Sequence, residues 1–225
     1  MEMFDIRSEY SAQPSIHQPN RMVGLAIERL RRCKHNRTCL SESSVADQGC
    51  GKLRHLPILT KSFKAVYLVD QQAQLERRQR LFGVSNTTIV DYVEKNYNPN
   101  SVHVLSAFEF GKSRLGLELV LNACTFDVVT PNSRREMISS AHSNLRKGGM
   151  FILIIPRNDQ SILKRCNHKN KYWDGHVFSH HAIHTFFRNF RDHGSLMKNV
   201  KKAGFELVEN MSIYRQICLI FKKSV

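Results

Sequence analysis

The end of the chain constrains its fold most. "ELVENM" (Glu206 to Met211) and "RQICLIFKK" (Arg215 to Lys223) both read as strands, and only a short turn separates them. That gap is too tight for a helical crossover, so the two strands must pair antiparallel. Upstream, apolar runs alternate with helical segments, which argues for an α/β fold with a mainly parallel sheet. The run "MFILIIP" (Met150 to Pro156) is apolar throughout and reads as a strand covered on both faces. An antiparallel hairpin at one side of such a sheet sets this chain apart from folds that share only the first half of the pattern.

Arg21 to Arg37 reads as a helix opened by Pro19–Asn20, with Met22, Leu25, Ile27 and Leu30 on its apolar face. A short strand around Val45 and Ala46 leads into a glycine turn, a helix through Leu56, Leu59 and Phe63, and a strand from Ala65 to Asp70. Gln71 to Gly83 reads as a polar helix stopped by Gly83, and Ser101 to Ala107 as a third strand. Leu115, Leu117, Leu119 and Val120 have a helical reading, followed by a fourth strand from Phe126 to Asn132 that breaks at Pro131. A helix from Ser133 stops at Gly148–Gly149. After the fifth strand, Met150 to Pro156, a helix from His184 to Lys202 precedes the terminal pair. At 225 residues the chain reads as one domain, residues 41–225, with an N-terminal extension and helix, residues 1–40, packed on its cleft.

A hydrophobic content of 41% and a charged content of 24% describe an ordinary globular chain. No apolar run approaches the ~20 residues that cross a bilayer, and the acidic first residues do not read as a secretory signal. Six cysteines without a C-x-x-C pair fit neither a disulfide framework nor a zinc ribbon. The expectation is reduced thiols in the cytoplasm. A net charge of +15 favours anionic partners, nucleic acid among them. Arg21 to Arg37 holds six Lys/Arg against one Glu, and Lys164 to Lys202 holds nine against two Asp, with six histidines.

In an open α/β sheet, ligands bind beyond the carboxyl ends of the strands, where strand order reverses. "DQGCG" (Asp47 to Gly51) puts two glycines at such a place, where the backbone can bend and a ligand can approach without meeting a Cβ. Asp70 ends the next strand, 19 residues after Gly51, and suits a carboxylate accepting from both hydroxyls of a ribose. A dinucleotide site wants G-x-G-x-x-G, but its third position here is Arg54. Asp47, two residues before the first glycine, would repel a pyrophosphate and welcome a cation. S-adenosyl-L-methionine carries an ammonium and a sulfonium and no phosphate, so the charges favour it over a nicotinamide cofactor.

"VADQGCGKLRHLPIL" and "AVYLVD" resemble the first and second motifs of class I S-adenosylmethionine-dependent methyltransferases. "FDVVTPN", "NLRKGGMFILIIP" and "AGFELVENMSIYRQICLIFKK" resemble that family's fourth strand, fifth strand and terminal hairpin, so the likeness spans about Val45 to Lys223. It implies a seven-stranded, mostly parallel sheet with helices on both faces and a reversed terminal hairpin. It also implies that Asp47, Gly49 and Gly51 cradle the methionine part, that Asp70 binds the ribose, and that Gln71 lies by the adenosine. Ser106 and Ala107 stand where many members place an acid and a small residue against adenine, with Glu109 as a substitute. Lys52–Leu53 follows Gly51 where the family's first motif has a further glycine.

The acceptor belongs beyond the fourth strand. Asn132 stands where amino-methylating nucleic-acid enzymes begin an (N/D)-P-P-(Y/F) motif, but "NSRRE" lacks the prolines and the aromatic that stacks on a flipped base. Cys124 has no Pro partner and reads as a core or loop thiol, not a nucleophile. His176 and His180 are candidate general bases, because methyl transfer needs one only where the nucleophile holds its proton. His181 joins them as a lining or capping residue. His180 and His184, four apart on the expected helix, have ligand-like spacing, but no acid or cysteine accompanies them and no metal is expected. Arg134 and Arg135 are candidates to grip a phosphate or carboxylate, the alternative being solvated first-turn arginines. Trp173, with Tyr172 and Phe178, suits stacking on bases or aromatic metabolites, whereas Phe186 and Phe187 read as core. The expected activity is methyl transfer, with RNA preferred to a small metabolite as acceptor. The competing readings are a non-catalytic subunit of the same fold and, on glycine–acid spacing alone, a nicotinamide-dependent oxidoreductase.

Overall fold

The computed structural model describes residues 6–7, 20–32, 39–156, 164–180, 183–188, 190, 193–213 and 215–224. In chain order the elements are α1 (Arg21–Arg32), β1 (Ser44–Gln48), α2 (Leu56–Thr60), β2 (Ala65–Asp70), α3 (Gln72–Leu75), β3 (Gln79–Leu81), β4 (Val84–Thr87) and α4 (Ile89–Asn96). They continue with β5 (Val102–Ser106), α5 (Ala107–Lys112), β6 (Leu117–Ala123), α6 (Pro131–Asn144), β7 (Leu145–Pro156), β8 (Lys171–Tyr172), β9 (Gly175–His180) and β10 (Ile183–Phe187). α7 (Gly194–Lys202), β11 (Phe205–Ile213) and β12 (Gln216–Lys223) complete the α-helices and strands of the described residues.

Seven strands form one sheet in the order β11-β12-β7-β6-β1-β2-β5. β1 pairs parallel with both β2 and β6, while β12 runs antiparallel to β7 and to β11. The reversed terminal hairpin expected from sequence is therefore present, and the sheet has the mostly parallel, doubly covered form. Strand order reverses at β1, which directs a ligand cleft to the carboxyl ends of β1 and β6.

Alternation along the strands divides the core. Val45, Leu68, Leu119 and Ile152 pack under α1 and α2, and Ala46, Val120, Phe151 and Leu219 pack under α6 and α7. In α1, Met22, Val23, Ala26, Ile27 and Leu30 are buried, and the helix rests on β7 and β12 with its arginines outward. Asn20 caps α1 by accepting from the Met22 N–H at 3.0 Å. Its amide also reaches the Cys124 sulfur at 3.7 Å, which sets the start of α1 beside the end of β6. Beyond Arg32 the expected helix lies outside the described residues.

Four sequence expectations are corrected. The fourth strand is β6, Leu117–Ala123, not Phe126–Asn132. "LELVL" repeats with the period of a strand, whereas Thr130 caps α6 and Pro131 opens it, so Phe126 drops into the core at a turn. Only Gln72–Leu75 of the expected polar helix is helical. Leu81 and Gln79 are buried in the β3–β4 hairpin, whose two turn residues, Phe82 and Gly83, both have positive φ. The helix before β7 ends at Asn144, and Gly148 and Gly149 lie within β7 and do not stop it. Finally, Ile183–Phe187 is a strand, because Ile, Thr and Phe favour a half-buried pleat, and the helix begins only at Gly194.

Candidate functional site

β1 ends at a turn built from three residues in the left-handed region. Gly49 has a φ of 82°, Gly51 of 57° and Leu53 of 64°. The Gly49 and Cys50 amides both donate to the Val69 carbonyl, at 2.8 and 3.2 Å, which ties the turn to the end of β2. A Cβ at Gly49 would lie 2.3 to 2.9 Å from three side-chain atoms of Thr125, so only glycine fits between β1 and the loop after β6. Leu53 occupies the position of the family's further glycine and keeps the positive φ that a glycine there would supply.

Asp70 holds the other side of the turn. Its Oδ2 accepts from the Gly51 amide and its Oδ1 from the Gln71 amide, each at 2.8 Å. A carboxylate has about four acceptor sites, so these bonds orient it without exhausting it. Gln74 Nε2 donates to the Gly51 carbonyl at 2.5 Å and braces the turn from α3. Between the glycines, Cys50 is buried, and burial, with Asp70 and Asp47 adding to it, holds its thiol well above the ordinary range. This agrees with a small filler and not a nucleophile.

Asp47 lies beneath the turn. Its side chain is fully buried, and neither carboxylate oxygen has a hydrogen-bond partner among the described residues. His55 Nδ1 stands 3.7 Å from Oδ2, which is ion-pair range and too long for a hydrogen bond.

A cleft of about 440 Å³ opens beside the turn. Gly49, Asp70, Gln71, Ala107 and Thr125 line it, four of its walls coming from the ends of β1, β2, β5 and β6, and α6 closes it with Ser133, Glu136 and Met137. Gln48 anchors that wall, since its Nε2 donates to the Met137 carbonyl at 3.1 Å and to Ser140 Oγ at 2.9 Å. Ser106 is not in the lining. It caps α5 in a reciprocal box with Glu109: Glu109 Oε2 accepts from the Ser106 amide and hydroxyl, and the Glu109 amide donates back to Ser106 Oγ. Ser106 and its substitute Glu109 are thus committed to each other, while Ala107, the other residue expected by the adenine, does line the cleft. Phe108, missed in the sequence, lines the cleft instead, 69% exposed, with Lys112 Nζ 3.8 Å over its ring. An apolar residue just after a capped strand end was the signal for it.

The acceptor-side residues lie around a small three-stranded sheet, β8–β10, that follows β7. Trp173 sits at the β8–β9 turn with a φ of 51°, 48% exposed. Asp174, next to it, accepts from Arg134 Nη1 at 3.0 Å and Nη2 at 2.6 Å, and from Arg188. Arg134 is only 4% exposed, so it is neither a solvated arginine nor an anion grip on the surface; it joins α6 to the small sheet. Arg135 is exposed and donates to Asn132 Oδ1, and neither lines the cleft, although their neighbour Ser133 does. His176 is half-buried on β9, with Nδ1 3.0 Å from Asn170 Oδ1. His180 is exposed at the far end of β9 and faces Ile183, so His180 and His184 do not share a helix face. His181 lies outside the described residues, and no metal-holding group of His, Cys, Asp or Glu occurs among those described.

No family model matches the chain. The uncharacterized protein YmfD of Escherichia coli (strain K12) is 27% identical over 214 residues, covering 94% of this chain and 90% of that protein. Among solved structures, an S-adenosylmethionine-dependent methyltransferase of Methanosarcina mazei superposes with a TM-score of 0.62 at 12% identity, over 93% of this chain and all of that one. The magnesium protoporphyrin IX methyltransferase of Synechocystis PCC 6803, with bound S-adenosylhomocysteine, gives 0.57 at 15%, over 90% and 82%. The 1,6-didemethyltoxoflavin-N1-methyltransferase of Burkholderia thailandensis, with 1,6-didemethyltoxoflavin and S-adenosylhomocysteine bound, gives 0.56 at 13%, over 93% and 92%. The likeness is one of architecture: the chain has the class I methyltransferase fold.

Proposed function

We propose that this chain binds S-adenosyl-L-methionine across the β1 turn and transfers its methyl group to an anionic acceptor, RNA in preference to a small metabolite. The observation that carries the cofactor reading is the pair of carboxylates on either side of the glycine turn. Asp70 is oriented by two backbone amides toward the cleft, where it suits ribose hydroxyls. Asp47 is buried without a hydrogen-bond partner among the described residues, with His55 Nδ1 3.7 Å away, so its acceptor capacity is unspent. A pyrophosphate would meet both charges, which counts against a nicotinamide cofactor. The Gly49–Thr125 contact leaves no room for a Cβ, so the backbone stays bare where Gly49 lines the cleft.

Bound there, S-adenosyl-L-methionine supplies an electrophilic methyl carbon. The chain's own part is to hold and orient: Asp47, Gly49 and Gly51 for the amino-acid end, Asp70 and Gln71 for the ribose, and Ala107 and Phe108 for the base. On the acceptor side, the β8–β9 turn supports the nucleic-acid reading. Lys164, Arg165, Lys169 and Lys171 are exposed beside exposed Tyr172 and Trp173, the combination of cations and rings that holds single strands. Asn132 and Arg135 stand at the start of α6, and His176, oriented by Asn170, is the better placed of the two candidate bases.

One observation favours a second reading, a binding subunit of the same fold without catalysis: none of Asn132, His176 and His180 lines the cleft. Calorimetry separates the readings. S-adenosylhomocysteine and S-adenosyl-L-methionine should bind with micromolar affinity and NAD should not. Transfer of a labelled methyl group to bulk RNA should then occur and weaken steeply with salt. Binding of neither sulfur ligand would sink the cofactor assignment, and binding without transfer to any acceptor would favour the subunit.

A further inference from the structure

S-adenosyl-L-methionine carries its base on C1′ of the sugar and its amino-acid chain on C5′, at opposite ends of the ribose. With the amino-acid end at Gly49 and Gly51 and the ribose at Asp70, the base must lie against the remaining walls of the cleft. Those walls are α5, with Ala107, Phe108 and Lys112, and α6, with Ser133, Glu136 and Ser140. Two carboxylates line the cleft among the described residues, Asp70 and Glu136. Asp70 is fixed at the end of β2 by the Gly51 and Gln71 amides, so Glu136 is the acidic group on the side of the base.

The other polar side chains on these two walls already hold protein partners. Ser140 Oγ donates to the Met137 carbonyl at 3.1 Å and accepts from Gln48 Nε2 at 2.9 Å. Ser133 Oγ lies 3.1 Å from Thr130 Oγ1, the cap of α6. Lys112 Nζ rests over the Phe108 ring. Glu136 differs from all of them: it is exposed, and its carboxylate has no hydrogen bond or ion pair among the described residues. Its own helix offers no counter-charge, since the positions three and four away are Asn132, Ser133, Ser139 and Ser140. The two cations beside it in sequence are engaged elsewhere, Arg134 with Asp174 and Arg135 with Asn132.

We infer that Glu136 is the residue that selects the base, taking a 6-aminopurine in preference to a 6-oxopurine; this rests on the cofactor reading. A carboxylate only accepts hydrogen bonds. It therefore favours a base whose outer edge donates, as the 6-amino group does. A 6-oxo group presents a carbonyl oxygen to the same carboxylate, which repels it and gives it no proton to share. Phe108, exposed on the α5 wall, supplies the ring on which a purine stacks while Glu136 reads its edge. Water also reaches Glu136, so the discrimination lies at the lower end for a hydrogen bond to a charged group, about tenfold.

The test is calorimetry of the whole chain with S-adenosylhomocysteine and with S-inosylhomocysteine, in which a carbonyl replaces the 6-amino group. The native chain should bind the first about tenfold more tightly. Glu136→Gln, whose amide donates as well as accepts, should bring the two affinities within about twofold of each other. Asp70→Asn, on the ribose side, should weaken both ligands and leave their ratio unchanged. Equal binding of the two ligands by the native chain, or a reversed preference, overturns the assignment and leaves the cofactor reading standing. So does a ratio that stays the same in Glu136→Gln, or one that moves as far in Asp70→Asn, because the selection would then not belong to Glu136. Failure of the native chain to bind S-adenosylhomocysteine at all overturns both. The two-ligand comparison on the native chain needs no variant and stands even where a variant does not fold.

Discussion

Leu53 carries two opposed effects in one residue. A positive φ costs a non-glycine residue roughly 1–2 kcal/mol, which the family's glycine would avoid. Against this, the side chain is fully buried among the residues under α1 and α2, and removing a buried leucine costs about 2–5 kcal/mol. Burial wins, so Leu53→Gly should destabilise the chain by about 1–3 kcal/mol, read as a lower denaturant midpoint. A gain in stability would show that strain dominates. At this scale the sequence was most legible where backbone geometry dictates residue type. Gly49, Gly51 and Asp70 stand where the spacing put them. It was least legible where a polar side chain chooses between solvent and interior. Arg134 and Arg135 are neighbours in "NSRRE", and nothing in that string says that one turns inward to Asp174 while the other stays out. Ser106 was misread for a related reason, because a hydroxyl at a strand end serves a helix cap as readily as a ligand.

Among elements, the small sheet β8–β10 depends on few attachments. Arg134 from α6 and Arg188 from just after β10 converge on Asp174, and the Arg188 amide donates to the Asp127 carbonyl at 2.7 Å. Asp174→Ala would leave the Arg134 guanidinium buried beside Phe186 and Phe190 without its counter-charge, at a cost of about 2–4 kcal/mol. Amide exchange should then quicken in β8–β10 while β1, β6 and β7 keep their protection, since those strands share none of these contacts. Uniform loss of protection would refute this division. Most of β9 was read as a connection and β10 as helical, because His, Ser and Thr give little periodic signal. Their pairing came from aromatic and β-branched residues every second position, a pattern too short to outweigh a helical prior. The same brevity hid β3 and β4. Long apolar strands such as β7 and β12 were plain by contrast, because burial on both faces leaves no polar position to blur them.

The whole molecule sorts its cysteines by depth. Burial pushes the thiols of Cys124 and Cys218 up to about 12, and holds Cys50 well above its ordinary value. Cys39 is exposed, and a hydrogen bond with Ser41 lowers it. Among the described cysteines, raising the pH toward the ordinary thiol range should thus populate the Cys39 thiolate first. Cys39 should react with a disulfide reagent well before Cys50, Cys124 and Cys218, by peptide mapping of the folded chain. Early labelling of the buried three would contradict the packing around α1 and the glycine turn. A last consequence follows from the place of β12. Residues 216–223 lie between β7 and β11, yet they are synthesised after the other six strands of the sheet. Until they emerge from the ribosome, β7 keeps an open edge, with Met150 to Ile155 normally covered. A stalled or prematurely stopped chain therefore carries an apolar template for association with its own kind.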